Sequence, residues 1–384
     1  MKNDFASRLE HLQKSDYYRE LNNRDCIGKY IWEGDIKYIN FSSNDYLGIS
    51  SNEELMTEFK IYAEEYPHYI GACSSRLMTG NHNLYGKLEQ NIAVSYGKES
   101  SLVFNSGYHA NTGIIPALYG KKDLVIADKL VHASIIDGMR LSAAHSVRHR
   151  HLDYKHLEQI LSTTRQKYSN AVIVSESVFS MDGDIADISK LIELAKIYNC
   201  ELYIDEAHAV GVVGNRGLGI CEKESLMGSI DYIIGTFGKA YAGLGAYVTC
   251  SYDVRNLLIN HARSLIFTTA LPPLHVLWSD FVFSKVKEMT KERERIIHTA
   301  NYLRKNLQRA HQRTGGMVHI VPLIVGASVN TVNLSEFLKT KGFIVQAVRP
   351  PTVPVGTARL RISVNASHSQ KDIDELIKAI IDYD

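Results

Sequence analysis

Leu202-Tyr203-Ile204-Asp205-Glu206-Ala207-His208 sets a short apolar run directly against two acids and a histidine. The arrangement recurs along the chain. Ser101-Leu102-Val103-Phe104 leads into Asn105-Ser106-Gly107-Tyr108-His109. Leu124-Val125-Ile126-Ala127 leads into Asp128, with His132 a turn later. Ala171-Val172-Ile173-Val174 precedes Glu176 and Phe179-Ser180-Met181-Asp182-Gly183-Asp184, and Tyr232-Ile233-Ile234 precedes Thr236-Phe237-Gly238-Lys239. These runs, with Ala246-Tyr247-Val248 after them, alternate little and are β-rich, as strands buried on both faces are. Amphipathic helical patterns lie between them, as at Ile188 to Tyr198. Strand–helix alternation predicts the α/β class with a mostly parallel sheet.

Outward from this block the pattern changes. Before it, a charged helix precedes a hairpin around Glu33-Gly34-Asp35, with Tyr30-Ile31-Trp32 and Lys37-Tyr38-Ile39 as its arms. After it, Leu271-Pro272-Pro273 punctuates the chain, and a long helical region is expected from Leu274 to about Ala310. Strand candidates follow at 318–325, 343–345 and 358–364, then a last helix from Lys371 to about Ile381. A single core stops growing at roughly 250–300 residues, so 384 residues call for more than one domain. The expected division is an N-terminal arm over 1–45, a large domain over 46–265 and a smaller α+β domain over 266–384 that closes onto it.

Lys and Arg number 43 against 42 Asp and Glu, a formal charge of +1, without the basic excess of a nucleic-acid binder. No apolar run reaches the ~18 residues of a membrane helix. The polar, charged N-terminus carries no apolar leader, so the protein is expected to stay in the cytoplasm. Five scattered cysteines form no C-x-x-C pair and support neither a disulfide framework nor a zinc site. His145, His149, His151 and His156 make a histidine-rich patch, read as solvated surface because no carboxylate or cysteine completes a metal set. Gly217-Leu218-Gly219 lacks a third glycine and does not follow a strand directly, so a dinucleotide fingerprint fails. The charged stretch from Lys285 to Arg304 reads as a solvent face. No metal is expected.

Ligands of an open parallel sheet bind at the carboxyl ends of its strands. Taken singly, the residues found there are ordinary. A lysine after a strand is usually solvated, Asp205 could cap a helix, and Ser106-Gly107 could be a plain turn. Together they have one chemical meaning, pyridoxal 5'-phosphate (PLP). Its aldehyde needs a lysine, here Lys239. Its pyridine nitrogen needs a buried carboxylate to stay protonated, and Asp205 fits. His208, three residues on, can donate to the phenolic oxygen. Gly107, Tyr108 and Thr236 supply amides and a hydroxyl for the phosphate. His132 can stack on the ring.

Longer motifs carry a resemblance that runs nearly end to end. They are Asn40-Phe41-Ser42-Ser43-Asn44-Asp45-Tyr46-Leu47-Gly48, Ser75-Arg76-Leu77-Met78-Thr79-Gly80-Asn81-His82, Ser106-Gly107-Tyr108, Phe179 to Asp184, Asp205 to His208, Thr236 to Lys239, Arg349 to Pro354 and Gly356 to Arg361. With them the chain resembles the α-oxoamine synthases, fold-type-I PLP enzymes that are acyltransferases and commonly homodimers. The resemblance implies catalytic roles for Lys239, His132, Asp205 and His208. It implies cofactor contacts from Gly107, Tyr108, His132, Ser180, Asp205, His208, Thr236 and Lys239. It implies substrate contacts from Arg19, Asn44, His132, Arg349 and Thr352, with Arg349 pairing with an amino-acid carboxylate. Asn81-His82 and Arg349 to Pro354 resemble the members that join L-alanine to a pimeloyl thioester, carried on CoA or on acyl carrier protein. Sister reactions of glycine with acetyl or succinyl thioesters stay open. The chain departs from the family pattern at Gly71-Ala72-Cys73-Ser74 and Ala240-Tyr241-Ala242-Gly243, which bears on acyl-chain access.

Overall fold

The computed structural model describes residues 4–14, 18–66 and 70–383. In chain order the strands are β1 (Asp25–Ile27), β2 (Tyr30–Glu33), β3 (Ile36–Asn40), β4 (Ser100–Phe104), β5 (Leu124–Asp128), β6 (His145–His149), β7 (Ala171–Glu176), β8 (Glu201–Asp205), β9 (Tyr232–Thr236), β10 (Ala246–Cys250), β11 (Ile320–Gly326), β12 (Phe343–Ile344), β13 (Ala347–Val348) and β14 (Ala358–Ser363). They fall into two compact units. One, the sheet unit, is Asn52–Phe179 with Ile185–Arg293. The other, the terminal unit, is Met1–Ser51, Ser180–Asp184 and Glu294–Asp384.

The sheet unit is built on seven strands in the order β4-β10-β9-β8-β7-β5-β6. β6, β5, β7, β8 and β9 pair in parallel, and β10 runs antiparallel to both β9 and β4. β4 therefore points the same way as the parallel strands, and its carboxyl end shares their edge. β4, β5, β7, β9 and β10 are buried throughout, as continuous apolar runs require. Helix boundaries follow local chemistry. Asp187 caps the Ile188–Tyr198 helix by accepting from Lys190 N–H, and Asn199 ends it in the left-handed region at φ 50°.

In the terminal unit β1-β2-β3-β12 form one sheet and β11-β14-β13 another. The expected hairpin is present as β2 and β3, antiparallel with Trp32 opposite Lys37. β12 adds to it in parallel, placing Phe343 beside Ile39. The last helix, Gln370–Ile381, opens with a capping box between Ser369 and Asp372.

These units divide the chain elsewhere than at 45 and 265. The arm does not stand apart, because Phe41 N–H donates to the Ile344 carbonyl (2.9 Å), Ser363 N–H to Phe41 (2.8 Å) and Ala366 N–H to Tyr46 (2.8 Å). Residues 266–293 belong to the sheet unit, where Trp278 packs edge-on against Phe59 at 5.0 Å and Asn91 donates to Asp280 at 3.0 Å. The long helical region expected from Leu274 consists of two helices, Pro273–Val286 and Thr290–Arg309. The first is apolar and mostly buried, while the second carries a charged face, so one continuous stripe could not serve both. Among the described residues no helix is long and apolar enough to cross a membrane.

Candidate active site

The carboxyl ends of β4, β5, β7, β8 and β9 open into a cavity of about 150 Å³. Gly107, Tyr108, Asn111, His132, Ser134, Glu176, Asp205, Ala207, His208, Thr236 and Lys239 line it. After β4, Ser106 caps the Gly107–Leu118 helix by accepting from His109 N–H at 3.2 Å. The amides of Gly107 and Tyr108 begin that helix and have no intrahelical acceptor. A Cβ on Gly107 would meet nothing within 4 Å, so the space beside this amide is open to a ligand. Tyr108 turns its hydroxyl outward to Asp137 at 2.8 Å.

After β9, Lys239 is half-buried, and its Nζ lies 2.7 Å from His208 Nε2. Thr236 donates to the Gly245 carbonyl at 3.0 Å and accepts from Gly238 N–H at 3.2 Å. At the end of β8, Asp205 is 5% exposed. Its Oδ1 accepts from Ala207 N–H and its Oδ2 from the Asn111 amide, each at 2.9 Å. His132 caps the Ala133–Leu141 helix with its ring, Nδ1 accepting from Ser134 N–H at 3.2 Å. Its ring opens onto the cavity, yet the concave wall desolvates it enough to lower its pKa, against the pull of Asp205. Glu176, at the end of β7, is buried and accepts the backbone N–H of His132. Burial, with the Asp205 charge nearby, pushes its pKa up to about 8.

The terminal unit has a cavity of its own, about 460 Å³. Arg19, Arg349 and Thr352 line it with Met181, Gln346 and Tyr18. Arg19 Nη2 donates to Thr352 Oγ1 at 3.1 Å, and Thr352 N–H closes a turn on the Arg349 carbonyl at 3.1 Å. Asn44 and Ser180 meet elsewhere in this unit, around the buried Arg361. That guanidinium donates to the Ser180 carbonyl (2.6 Å), Ser363 Oγ (2.6 Å), Asn44 Oδ1 (3.2 Å) and Tyr46 hydroxyl (3.2 Å).

The profile of the aminotransferase class I and II family matches residues 36–380. The chain belongs to that family. Among curated relatives of this aminotransferase-family chain are a putative 8-amino-7-oxononanoate synthase of Neisseria meningitidis and one of Haemophilus influenzae. Each is 44% identical over 96% of this chain and 97% of its own. A solved serine palmitoyltransferase from S. paucimobilis, bound to a PLP adduct, covers 99% of the chain and 96% of itself at 27% identity and TM-score 0.90. The 8-amino-7-oxononanoate synthase of Francisella tularensis covers 90% and 97%, at 26% identity and TM-score 0.76. The fold and cofactor of this family member are those of the PLP-dependent C-acyltransferases.

The donor set of the sheet-unit cavity fits PLP. It offers a primary amine for an aldehyde, a buried carboxylate for a pyridine nitrogen, and free amides at a helix N-terminus beside open space for a phosphate. Gly107, Tyr108, His132, Asp205, His208, Thr236 and Lys239 come together there. Ser180 lines neither that cavity nor the arginine-lined one. Four residues of the cavity have no part assigned from the sequence: Asn111, Ser134, Glu176 and Ala207. Asn111 follows Gly107 by one helical turn, and that spacing was the available signal. The histidine patch needs correction. His149 is 1% exposed, and His151 donates to the buried Asp128 at 2.8 Å, so neither is plain solvated surface. No group of three or more possible metal ligands occurs among the described residues.

Proposed function

We propose that the protein joins L-alanine to a pimeloyl thioester, releasing CO2 and the free thiol carrier and forming 8-amino-7-oxononanoate. Bound PLP supplies a covalent seat for the alanine amine and a sink for the electron pair left at Cα. Lys239 would hold the cofactor until the alanine amine takes its place, and its freed Nζ would then take the Cα proton. His208, 2.7 Å from that nitrogen, donates to the ring oxygen and limits where Nζ can swing. Asp205 keeps the proton on the ring nitrogen. The amides of Gly107 and Tyr108, with the Thr236 hydroxyl, hold the phosphate. His132, in the same cavity wall, would stack on the ring. Arg349, with Arg19 and Thr352 in the same cavity wall, binds carboxylate. Asn44 and Ser180 hold Arg361 in place within the terminal unit. The enzyme works as a homodimer in the cytoplasm.

The observation that carries the chemistry is the Lys239–His208 contact in a cavity that also holds Asp205 and a free helix N-terminus. The choice of substrates is supported by relatives 44% identical over nearly the whole chain. Serine with a palmitoyl thioester is the second reading, favoured by backbone likeness at TM-score 0.90. Backbone likeness at 27% identity weighs less on substrate choice than 44% identity along the full length.

A substrate matrix tests both. Alanine, glycine and serine are each incubated with pimeloyl, acetyl, succinyl and palmitoyl thioesters, and products are read by mass. The alanine–pimeloyl pair should give the highest kcat/KM, by about tenfold or more, the discrimination that a misfitting chain or hydroxyl brings. A preference for serine with palmitoyl, or for glycine, rejects the assignment. Pimeloyl-CoA against pimeloyl carrier protein then identifies the donor.

A further inference from the structure

Asn111 is 1% exposed, inside the first turns of the Gly107–Leu118 helix, and every polar atom of its side chain is engaged. Its Oδ1 accepts the Tyr203 hydroxyl at 2.5 Å. Its Nδ2 donates to Asp205 Oδ2 and to Ser134 Oγ, both at 2.9 Å. Ser134 Oγ lies 2.7 Å from His132 Nδ1. The amide orientation follows from its partners, since reversing it would set its oxygen against a carboxylate oxygen. Only an amide of this length offers one acceptor and two donors here.

We propose that Asn111 is a positioning residue for the reaction, aiming the Asp205 carboxylate into the cavity and tying that aim through Ser134 to the ring of His132. The proposal rests on the reading of Asp205 as the partner of the cofactor ring nitrogen. Asn111 aims an N–H at the Asp205 carboxylate, and the Tyr203 hydroxyl on the far side polarises the amide into a better donor. Oδ1 of Asp205 is fixed by Ala207 N–H, so Asn111 settles the remaining rotation of the carboxylate. His132 and Asp205 are thereby adjusted together, although one follows β5 and the other ends β8. The titratable groups sharing this wall are Asp205 and Tyr203 on β8, Glu176 at the end of β7, Tyr108 on the Gly107–Leu118 helix, His132, His208 and Lys239.

Three variants test the proposal on the holoenzyme. Asn111→Leu keeps the bulk and removes all three hydrogen bonds. It should lower kcat by about 10- to 100-fold, the worth of a hydrogen bond to a charged group, and weaken PLP retention while alanine KM moves less than about threefold. Tyr203→Phe removes only the outer hydroxyl and should act in the same direction by a few-fold. Asn111→Asp sets a second carboxyl against Asp205, and the pair then holds one proton over part of the accessible range. Protonated, the new group donates as the amide did. As pH rises the proton leaves and two carboxylates oppose each other. Both kcat and the pH titration of bound-PLP absorption should therefore gain a limb, falling toward high pH, that the wild type lacks. A merely structural asparagine would lower stability without adding that limb. The proposal is overturned if Asn111→Asp titrates as wild type, or if Asn111→Leu and Tyr203→Phe, with wild-type thermal unfolding, keep wild-type kcat. Asp205→Asn serves as the control. If it too is silent, the reading of Asp205 falls; if it is dead while the Asn111 variants are silent, only the present proposal falls.

Discussion

Lys239 and Asp205 are the residues proposed to carry the chemistry at the scale of single residues, and their variants should fail differently. Lys239→Ala removes the amine but leaves Gly107, Tyr108 and Thr236 in place. It should still bind PLP through the phosphate, without a covalent link, and lose turnover. Borohydride treatment followed by peptide mass mapping checks this: wild type should carry PLP on the peptide containing Lys239, and the variant on none. Normal turnover of the variant would reject Lys239 as the attachment point. Asp205→Asn keeps the shape and removes the charge. It should cost roughly 3 kcal/mol of barrier, about 100-fold in kcat, with alanine binding little changed. A loss within tenfold would leave Asp205 as only a cap. At this scale the site was legible wherever a residue directly follows a core strand, because the α/β topology gathers strand ends at one edge. Asn111 and Glu176 were not legible in their roles. Their importance comes from what stands opposite, Asp205 for one and the His132 amide for the other, and no local pattern encodes an opposing partner.

Among the elements, the loop before the Gln370–Ile381 helix shows how a titratable group can hold a fold together. His368 is 4% exposed, accepts from Asn365 N–H through Nδ1 (3.1 Å) and donates from Nε2 to the Asn40 carbonyl (3.1 Å). It thus ties the C-terminal segment to the end of β3. Burial lowers its pKa from 6.5 to about 4, with Asp372 opposing and Lys29 reinforcing the shift. The folded state therefore resists protonation that the unfolded chain accepts. Its contribution is complete above about pH 6.5 and is lost progressively as pH falls toward 4. Between pH 6.5 and 5 the loss is about 2 kcal/mol, since one pKa unit is worth about 1.4. Urea unfolding of wild type and His368→Asn at both pH values measures it. The stability gap between them should shrink by roughly that amount at pH 5, and an unchanged gap would exclude His368 as the sensitive group. Sequence patterning found most elements here, including the hairpin and the last helix. It gives the region from Leu274 to about Ala310 as helical without dividing it, because no Pro or Gly marks the break at 287–289.

For the molecule as a whole, contacts rather than chain order define the units. Ser180–Asp184 sits mid-sequence within the sheet unit's span yet belongs to the terminal unit, held by the Arg359–Asp182 ion pair and by Arg361. Such an excursion has no signature in composition, and a division by sequence blocks could not contain it. The grouping does separate two tasks. The residues proposed to hold PLP lie in the sheet unit, whereas Arg19, Arg349 and Thr352 line a cavity of the terminal unit. Cofactor retention and carboxylate recognition should therefore be separable by mutation. Arg349→Lys keeps a positive charge but loses the planar fork, and Arg349→Ala loses both. Alanine KM should rise about tenfold in the first and more in the second, the worth of one or two charge-assisted hydrogen bonds. PLP affinity should stay within a factor of two or so of wild type, because no phosphate or ring contact is touched. Titrating each variant with alanine while following the cofactor absorption reads the first quantity, and apoenzyme reconstitution reads the second. Arg361 is the competing fork, already committed to Ser180, Asn44, Tyr46 and Ser363. If Arg361→Lys raises alanine KM while Arg349→Lys and Arg349→Ala bind alanine as wild type does, the carboxylate belongs to Arg361, and the cavity around Arg349 serves another part of the substrates.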